Sequence, residues 1–343
     1  MKAPDAKVAF VGCGTHATNN LYPMLRYTRA RLDAVCDLNR ALAERNARVF
    51  GAASVYTDAE RMLDERKPEG LFVVGPPEIH YTFGKAALAR GVPVFVEKPP
   101  APSLAQVREL ADLARAKGVF LMCGFMKRHG MAYAKIREMI NMGRFLPAAL
   151  RINYSHWAVT GLARILPAMS IHAIDLAISL FGEVRTVQST LYETPRASSL
   201  AVTLTFASGR WAQLMLDASQ PRIQERLEIS GVMDGKNALI IVDNVERMEL
   251  HVGVHDGTDL NNDLNAINPK VHLEGIQVWR PDYAIPNAQQ TRHFIQGFAG
   301  EVREFIDAII EKREPYPGTE DALKAMIVID AIVGNPNKTV QLA

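Results

Sequence analysis

Short apolar runs alternate with amphipathic stretches through the first third of the chain. Residues 7–11, 32–36, 70–74, 92–96 and 119–123 are mostly Val, Leu, Phe, Ala and Met, the pattern of strands buried on both faces, and residues 54–56 add a shorter one. Between them, residues 18–29, 40–50, 58–66, 78–90 and 103–117 carry helical periodicity, with Asp58 placed to cap the third. Six strands alternating with helices predict a doubly wound parallel sheet. The pattern then changes. Helices are predicted over 133–142 and 166–181, whereas 150–156, 186–192, 200–206, 211–216, 226–230, 238–242 and 246–250 repeat with a period of two, separated by turns such as Ser208-Gly209 and Asp234-Gly235. That is a mostly antiparallel sheet built of hairpins. Residues 298–312 and 319–333 read as closing helices. The fold class is therefore α/β: a dinucleotide-binding sheet of the Rossmann type in residues 1–124, and an α+β domain with a large open sheet in 125–343.

The turn chemistry supports the first assignment. Gly12-Cys13-Gly14-Thr15-His16-Ala17 follows the first strand and opens a helix. In such a Gly-x-Gly-x-x-Ala turn the first glycine allows the tight bend, the second lets backbone approach a diphosphate, and the small third residue allows close packing. The second strand ends in Asp37, at the distance where an acid meets the adenosine ribose, which favours NAD(H) over NADP(H). Arg40 is read as a solvated side chain on the next helix. Gly75-Pro76-Pro77-Glu78-Ile79-His80 forces a sharp exit from the fourth strand, with His80 packing, capping or joining the cofactor shell. The fifth strand, Val92-Pro93-Val94-Phe95-Val96, ends in Glu97-Lys98-Pro99-Pro100. Two charges thus sit at the carboxyl end of a buried strand, where open α/β sheets bind ligands and a lysine can exchange protons near neutral pH.

In the second half, Arg128 and His129 follow the last nucleotide-domain strand and either reach the cleft or occupy a solvated turn. His156-Trp157 ends a strand. His172 and Asp175 stand three apart on a helix, so a carboxylate is placed beside an imidazole, the pairing a general base uses. Residues 253–286 are polar and poorly periodic, the character of a functional lid, with Trp279 and Trp157 offering faces to a sugar ring or to the core.

Composition narrows the class without adding chemistry. The chain has 343 residues, enough for two cores, with 48% hydrophobic and 22% charged residues and a net charge of +2. No basic block interleaved with aromatics points to nucleic acid. Cys13, Cys36 and Cys123 lie in or beside apolar runs, as reduced buried thiols do, and no metal-ligand spacing occurs. Met1 to Ala6 leave no room for a signal peptide and no apolar run is long enough for a bilayer, so a cytoplasmic location with no membrane partner is expected.

These motifs together resemble the Gfo/Idh/MocA family of NAD(P)-dependent oxidoreductases, which includes inositol dehydrogenases and glucose-fructose oxidoreductase. The likeness rests on Gly12-x-Gly14-x-x-Ala17, Asp37, Pro76-Pro77-x-x-His80 and, above all, Glu97-Lys98-Pro99. It implies hydride transfer between NAD and a secondary alcohol or ketone carbon of a sugar, sugar derivative or cyclitol. The cofactor would be held by Gly12, Cys13, Gly14, Thr15, His16, Ala17, Asp37, Pro76, His80, Glu97 and Lys98. Lys98, His172 and Asp175 would be catalytic; Lys98, Arg128, His156, Trp157 and His172 would meet the substrate. The resemblance also implies a homo-oligomer, dimer or tetramer, formed through the open sheet. Family members carry Asp-x-x-x-His-x-x-Asp in the helix of His172, and the first acid is here Ala168. Two other readings fit the same motifs: a glycosidase using NAD for transient oxidation, and a non-catalytic regulator that binds dinucleotide and sugar.

Overall fold

A computed structural model describes residues 6–253, 275–282, 284 and 291–342. The first sheet is built from β1 (Ala6–Val11), β2 (Ala30–Cys36), β3 (Ser54–Tyr56), β4 (Gly70–Val73), β5 (Val94–Val96) and β6 (Leu121–Cys123). All its pairings are parallel, in the order β3-β2-β1-β4-β5-β6. The order reverses between β1 and β4, so the loops after those strands diverge and leave a crevice at their carboxyl ends.

The connecting helices are set by local chemistry. α1 (Arg40–Phe50), α2 (Ala59–Arg66) and α4 (Leu104–Lys117) each start on a side chain that accepts a backbone N–H: Asn39, Asp58 and Ser103. α3 (Pro77–Ala89) starts on Pro77, whose missing N–H costs nothing in a first turn. The helix predicted over 18–29 is irregular. It runs as a π turn at Ala17–Leu21 and a 3-10 turn at Tyr22–Tyr27, because Pro23 cannot donate to the Asn19 carbonyl four residues back. His293 Nε2 supplies that donor at 2.8 Å.

The chain then passes through a 3-10 turn (Met126–His129) and α5 (Met131–Asn141) to β7 (Phe145–Ser155). α6 (Leu162–Ile165) and α7 (Ile171–Phe181) are joined by a π turn at Leu166–Ser170, where Pro167 again lacks an N–H. The helix predicted over 166–181 is thus interrupted just before His172. The strands β8 (Val184–Glu193), β9 (Ser198–Phe206), β10 (Trp211–Asp217), β11 (Gln224–Met233), β12 (Lys236–Asp243), β13 (Arg247–Gly253) and β14 (Gly275–Trp279) follow. After them come α8 (Arg292–Gln296), α9 (Phe298–Glu311), α10 (Thr319–Gly334) and β15 (Thr339–Gln341). The second sheet has the order β14-β13-β12-β11-β7-β10-β9-β8-β15 and is antiparallel except where β7 meets β10. Of the stretch read as a lid, residues 275–279 are instead a strand paired with β13. Residues 254–274, 283 and 285–290 lie outside the described residues.

The two halves are not separate cores. α9 packs its Phe305 ring edge-on against Phe72, Phe95 and Phe120 of the first domain, with centroids 4.7, 5.8 and 5.9 Å away. Thr319 Oγ1 accepts the Leu121 N–H at 3.0 Å. Residues after 124 therefore cover one face of the parallel sheet, and that packing brings α9 beside the ends of β1 and β5.

Candidate active site

The backbone after β1 has the shape a diphosphate requires. Gly12 has φ +106°, and a Cβ there would stand 1.9 Å from the Val74 carbonyl oxygen, so no other residue fits. Gly14 borders open space: none of the described residues lies within 4 Å of where its Cβ would be. This loop and the helical turn behind it fit an NAD diphosphate, and Gly14 leaves the room for it. Arg45 braces the loop by donating to the Cys13 carbonyl and to Thr18 Oγ1, both at 2.9 Å. Asp37 accepts the Cys13 N–H at 2.7 Å and the Asn39 N–H at 2.8 Å. Each carboxylate oxygen keeps a lone pair for a ribose hydroxyl. Arg40 is bound to Glu44, 2.8 Å away and exposed, so it does not offset the charge of Asp37. The Cys13 side chain is buried against the Tyr22 hydroxyl and does not face the crevice.

Beyond β5 lies a cleft of about 620 Å³ that gathers residues remote in sequence. His16 comes from the glycine loop, Glu97 and Lys98 from the end of β5, His172 from the start of α7, and Trp157 from the segment after β7. The buried Glu97 accepts from His16 Nε2 at 3.0 Å and from the Lys98 N–H at 3.1 Å. His16 Nε2 donates to Glu97, and its Nδ1 lies 3.0 Å from the Asn20 amide nitrogen. Burial acts to raise the Glu97 carboxyl, but the His16 bond and the charges of His16 and Lys98 hold it below its usual range. His80 is fully buried, accepting the Gly75 N–H at Nε2 and reaching the Pro99 carbonyl from Nδ1 at 2.8 Å. It ties the loop after β4 to the lysine loop and does not line the cleft.

Burial pushes His172 well below its usual pKa, and the charges of Lys98, Lys127 and His16 add to the shift, so the imidazole is neutral at pH 7. Its Nδ1 is buried and has no hydrogen-bond partner among the described residues. The expected orienting acid is occupied elsewhere. Asp175 accepts two bonds from the Arg128 guanidinium, at 2.9 and 2.7 Å, with both side chains about 1% exposed. Arg128 also reaches Asp321 at 3.1 Å. Spacing allows Asp175 to meet His172, but a bidentate guanidinium is the stronger partner for a buried carboxylate.

The same pair removes Arg128 from the substrate residues, since it is enclosed between α7 and α10. His129 packs on Tyr316, and burial with the Arg137 charge lowers it to about 4; it too lies outside the cleft. His156 is buried, with Nδ1 3.1 Å from the Trp157 carbonyl, and does not line the cleft. Trp157 does, and is 56% exposed. Trp279 borders a different cavity, beside Met131 and Met248. The side chain of Ala168 is outside the described residues.

Lys127, Glu225, Asn244, Arg292 and Gln296 also line the cleft. No local pattern marks them: they sit in a turn, at a strand start, after a strand and on a short helix, and only tertiary packing unites them. Glu301 of α9 is a further hidden group. It is fully buried, neither carboxyl oxygen has a hydrogen-bond partner among the described residues, and burial with the nearby Glu97 charge raises its pKa far above the usual 4.5. A carboxyl that keeps its proton when folded contributes stability below 4.5, and loses it as pH rises towards its folded pKa. Glu301→Gln, which mimics the protonated acid, should therefore gain stability relative to the parent between pH 5 and pH 8. Urea unfolding at the two pH values checks this; a parent-to-variant difference independent of pH refutes it.

Comparison with known proteins places this geometry. The family model "Oxidoreductase family, NAD-binding Rossmann fold" of Gfo/Idh/MocA proteins matches residues 6–125, and its partner, "Oxidoreductase family, C-terminal alpha/beta domain", matches residues 160–340. D-glucoside 3-dehydrogenase of Escherichia coli is 34% identical over 145 residues, 42% of this chain and 41% of that protein. Inositol 2-dehydrogenase of Streptomyces avermitilis is 30% identical over 174 residues, 49% of this chain and 50% of that one. The alignments thus span about half the length of these curated relatives. A crystal structure of a dehydrogenase from Chromobacterium violaceum superposes with TM-score 0.83 at 26% identity, covering 96% of this chain and 95% of that one.

Proposed function

This chain belongs to the Gfo/Idh/MocA family of NAD-binding oxidoreductases, and we propose that it moves hydride between NAD and a secondary alcohol carbon of a sugar, sugar derivative or cyclitol. The observation that carries this reading is the meeting of Lys98 with a neutral His172 in one cleft beside the nucleotide loop. Bound NAD supplies the hydride acceptor, and the protein supplies position and charge. In the oxidative direction His172 takes the hydroxyl proton while the Lys98 ammonium stabilises negative charge on the same oxygen. Glu97, fixed by His16, holds the lysine loop. Asp175 acts through Arg128 on the packing of α7 and has no direct part in the chemistry.

Asp37 selects NAD, because a 2′-phosphate would meet its carboxylate, and Arg40, three residues on, is tied to Glu44. That repulsion is about 1–3 kcal/mol, a preference of at least several-fold. A panel of neutral sugars, sugar acids and cyclitols, followed by NADH absorbance with NAD and with NADP, tests both statements. Turnover with some member and higher kcat/KM for NAD is expected; no turnover on a broad panel rejects the dehydrogenase, and preference for NADP rejects the role of Asp37.

Among the described residues no helix is long and apolar enough to cross a membrane. We place the protein in the cytoplasm on the strength of its three buried free thiols. Trp211 and Met215 stand exposed on the sheet face opposite the buried Ala212, Leu214 and Leu216, and that face is the proposed contact between copies of the chain.

A further inference from the structure

The polar wall that Lys127 and Glu225 add to the cleft is a built structure. Lys127 Nζ lies 2.5 Å from Glu225 Oε2 and 2.9 Å from Gln296 Oε1, and both charged residues are more than nine-tenths buried. Tyr133 donates its hydroxyl to Glu225 Oε1. Burial and the Glu225 charge raise the Tyr133 pKa far above its usual 10, so the phenol keeps the proton it donates. The backbone is locked as well: the Glu225 N–H is accepted by Asn244 Oδ1 at 3.0 Å, and the Asn244 N–H by the Glu225 carbonyl at 2.7 Å.

Such an ion pair gains little stability over apolar residues of the same size, because taking two charges out of water offsets their attraction. Its presence at a cleft surface calls for another use. An ammonium has three donors, and two of Lys127's go to Glu225 and Gln296. A carboxylate has about four acceptor sites, and Glu225 uses one on each oxygen. Among the described residues one donor and at least one acceptor therefore remain side by side, in rigid positions, on the lining of the cleft. Two neighbouring hydroxyls on a ring match them, one accepting from the ammonium and the other donating to the carboxylate. The charges of the described lining also balance: Glu97, Glu225 and Glu246 against Lys98, Lys127 and Arg292.

We infer that Lys127 and Glu225 are specificity-determining residues that grip a vicinal diol of a neutral pyranose or cyclitol, away from the carbon that reacts. The inference rests on the hydride-transfer reading for its substrate, and it narrows that substrate to uncharged polyols. Arg128, enclosed by Asp175 and Asp321, is not there to receive an acidic group.

The test is binding, so that it does not depend on turnover. The enzyme saturated with NADH is titrated with methyl β-D-glucopyranoside and myo-inositol, and with D-glucuronate and glucose 6-phosphate as charged counterparts, following NADH fluorescence. At least one neutral probe should bind, and the charged probes about ten-fold or more weaker. In Lys127→Gln/Glu225→Gln, a double change that leaves no unpaired charge, NADH affinity should hold while affinity for the neutral probe falls about ten-fold or more. Tighter binding of a charged probe, no binding of either neutral probe, or a folded double variant with unchanged probe affinity overturns the assignment. If the double variant does not fold, the ranking of neutral against charged probes on the parent decides. If the neutral probes bind as stated yet never reduce NAD, the diol site stands and the dehydrogenase reading fails.

Discussion

Replacing Lys98 by methionine should lower kcat by about 10²–10³-fold, the usual cost of deleting a donor aimed at developing oxyanion charge, while NADH affinity changes little. Methionine keeps the apolar stem and removes only the ammonium. Because the Lys98 charge is among the causes that depress His172, its removal should also raise the His172 pKa, and the acid limb of the kcat/KM profile should move to higher pH. Steady-state rates at saturating NAD, the pH profile and a fluorescence titration with NADH check the three parts together. If NADH binding collapses and turnover at saturating cofactor is intact, Lys98 is an anchor for the cofactor and has no part in the chemical step.

Asp175→Ala should be the most destabilising single change near the site. It removes the bidentate partner of the Arg128 guanidinium, which is 1% exposed, and leaves it the single Asp321 contact at 3.1 Å and the Phe125 and Tyr316 rings; breaking a buried pair in this way costs about 3–5 kcal/mol. Urea unfolding measures it. Arg128→Met combined with Asp175→Leu should recover much of the loss, since the pair is then replaced by apolar groups and the remaining acid, Asp321, is 22% exposed and still accepts the Gly318 N–H. The opposite outcome is equally clear. Unchanged stability with a steep fall in kcat and an altered pH profile would mean that Asp175 serves His172 directly after all.

The contrast between His172 and Asp175 shows where sequence reasoning stops. Parallel strands, helix starts and the glycine turn are products of neighbouring residues: the apolar runs, the caps at Asn39, Asp58 and Ser103, and the φ +106° that excludes a side chain at Gly12. Asp37 and Lys98 were legible for the same reason, because each ends a strand whose direction already locates it at the carboxyl edge of the sheet. The antiparallel sheet was legible from its period of two, though not the parallel pairing of β7 with β10, which depends on strand order. Pro23 and Pro167 were visible in the sequence too, and the π turns they cause follow from the missing N–H.

What the tertiary structure alone decided is the choice of partners. A helix places Asp175 within reach of His172, but the carboxylate takes the guanidinium offered from 47 residues away, because two charge-assisted bonds in a dry interior outweigh one bond to an imidazole. Glu225 meets Lys127 across 98 residues, and Glu301 enters the neighbourhood of Glu97 only because α9 returns to cover the first sheet. Local sequence sets which residues point the same way. Which buried charge they then find depends on how separate elements pack, and a single chain read in order carries no record of that distance.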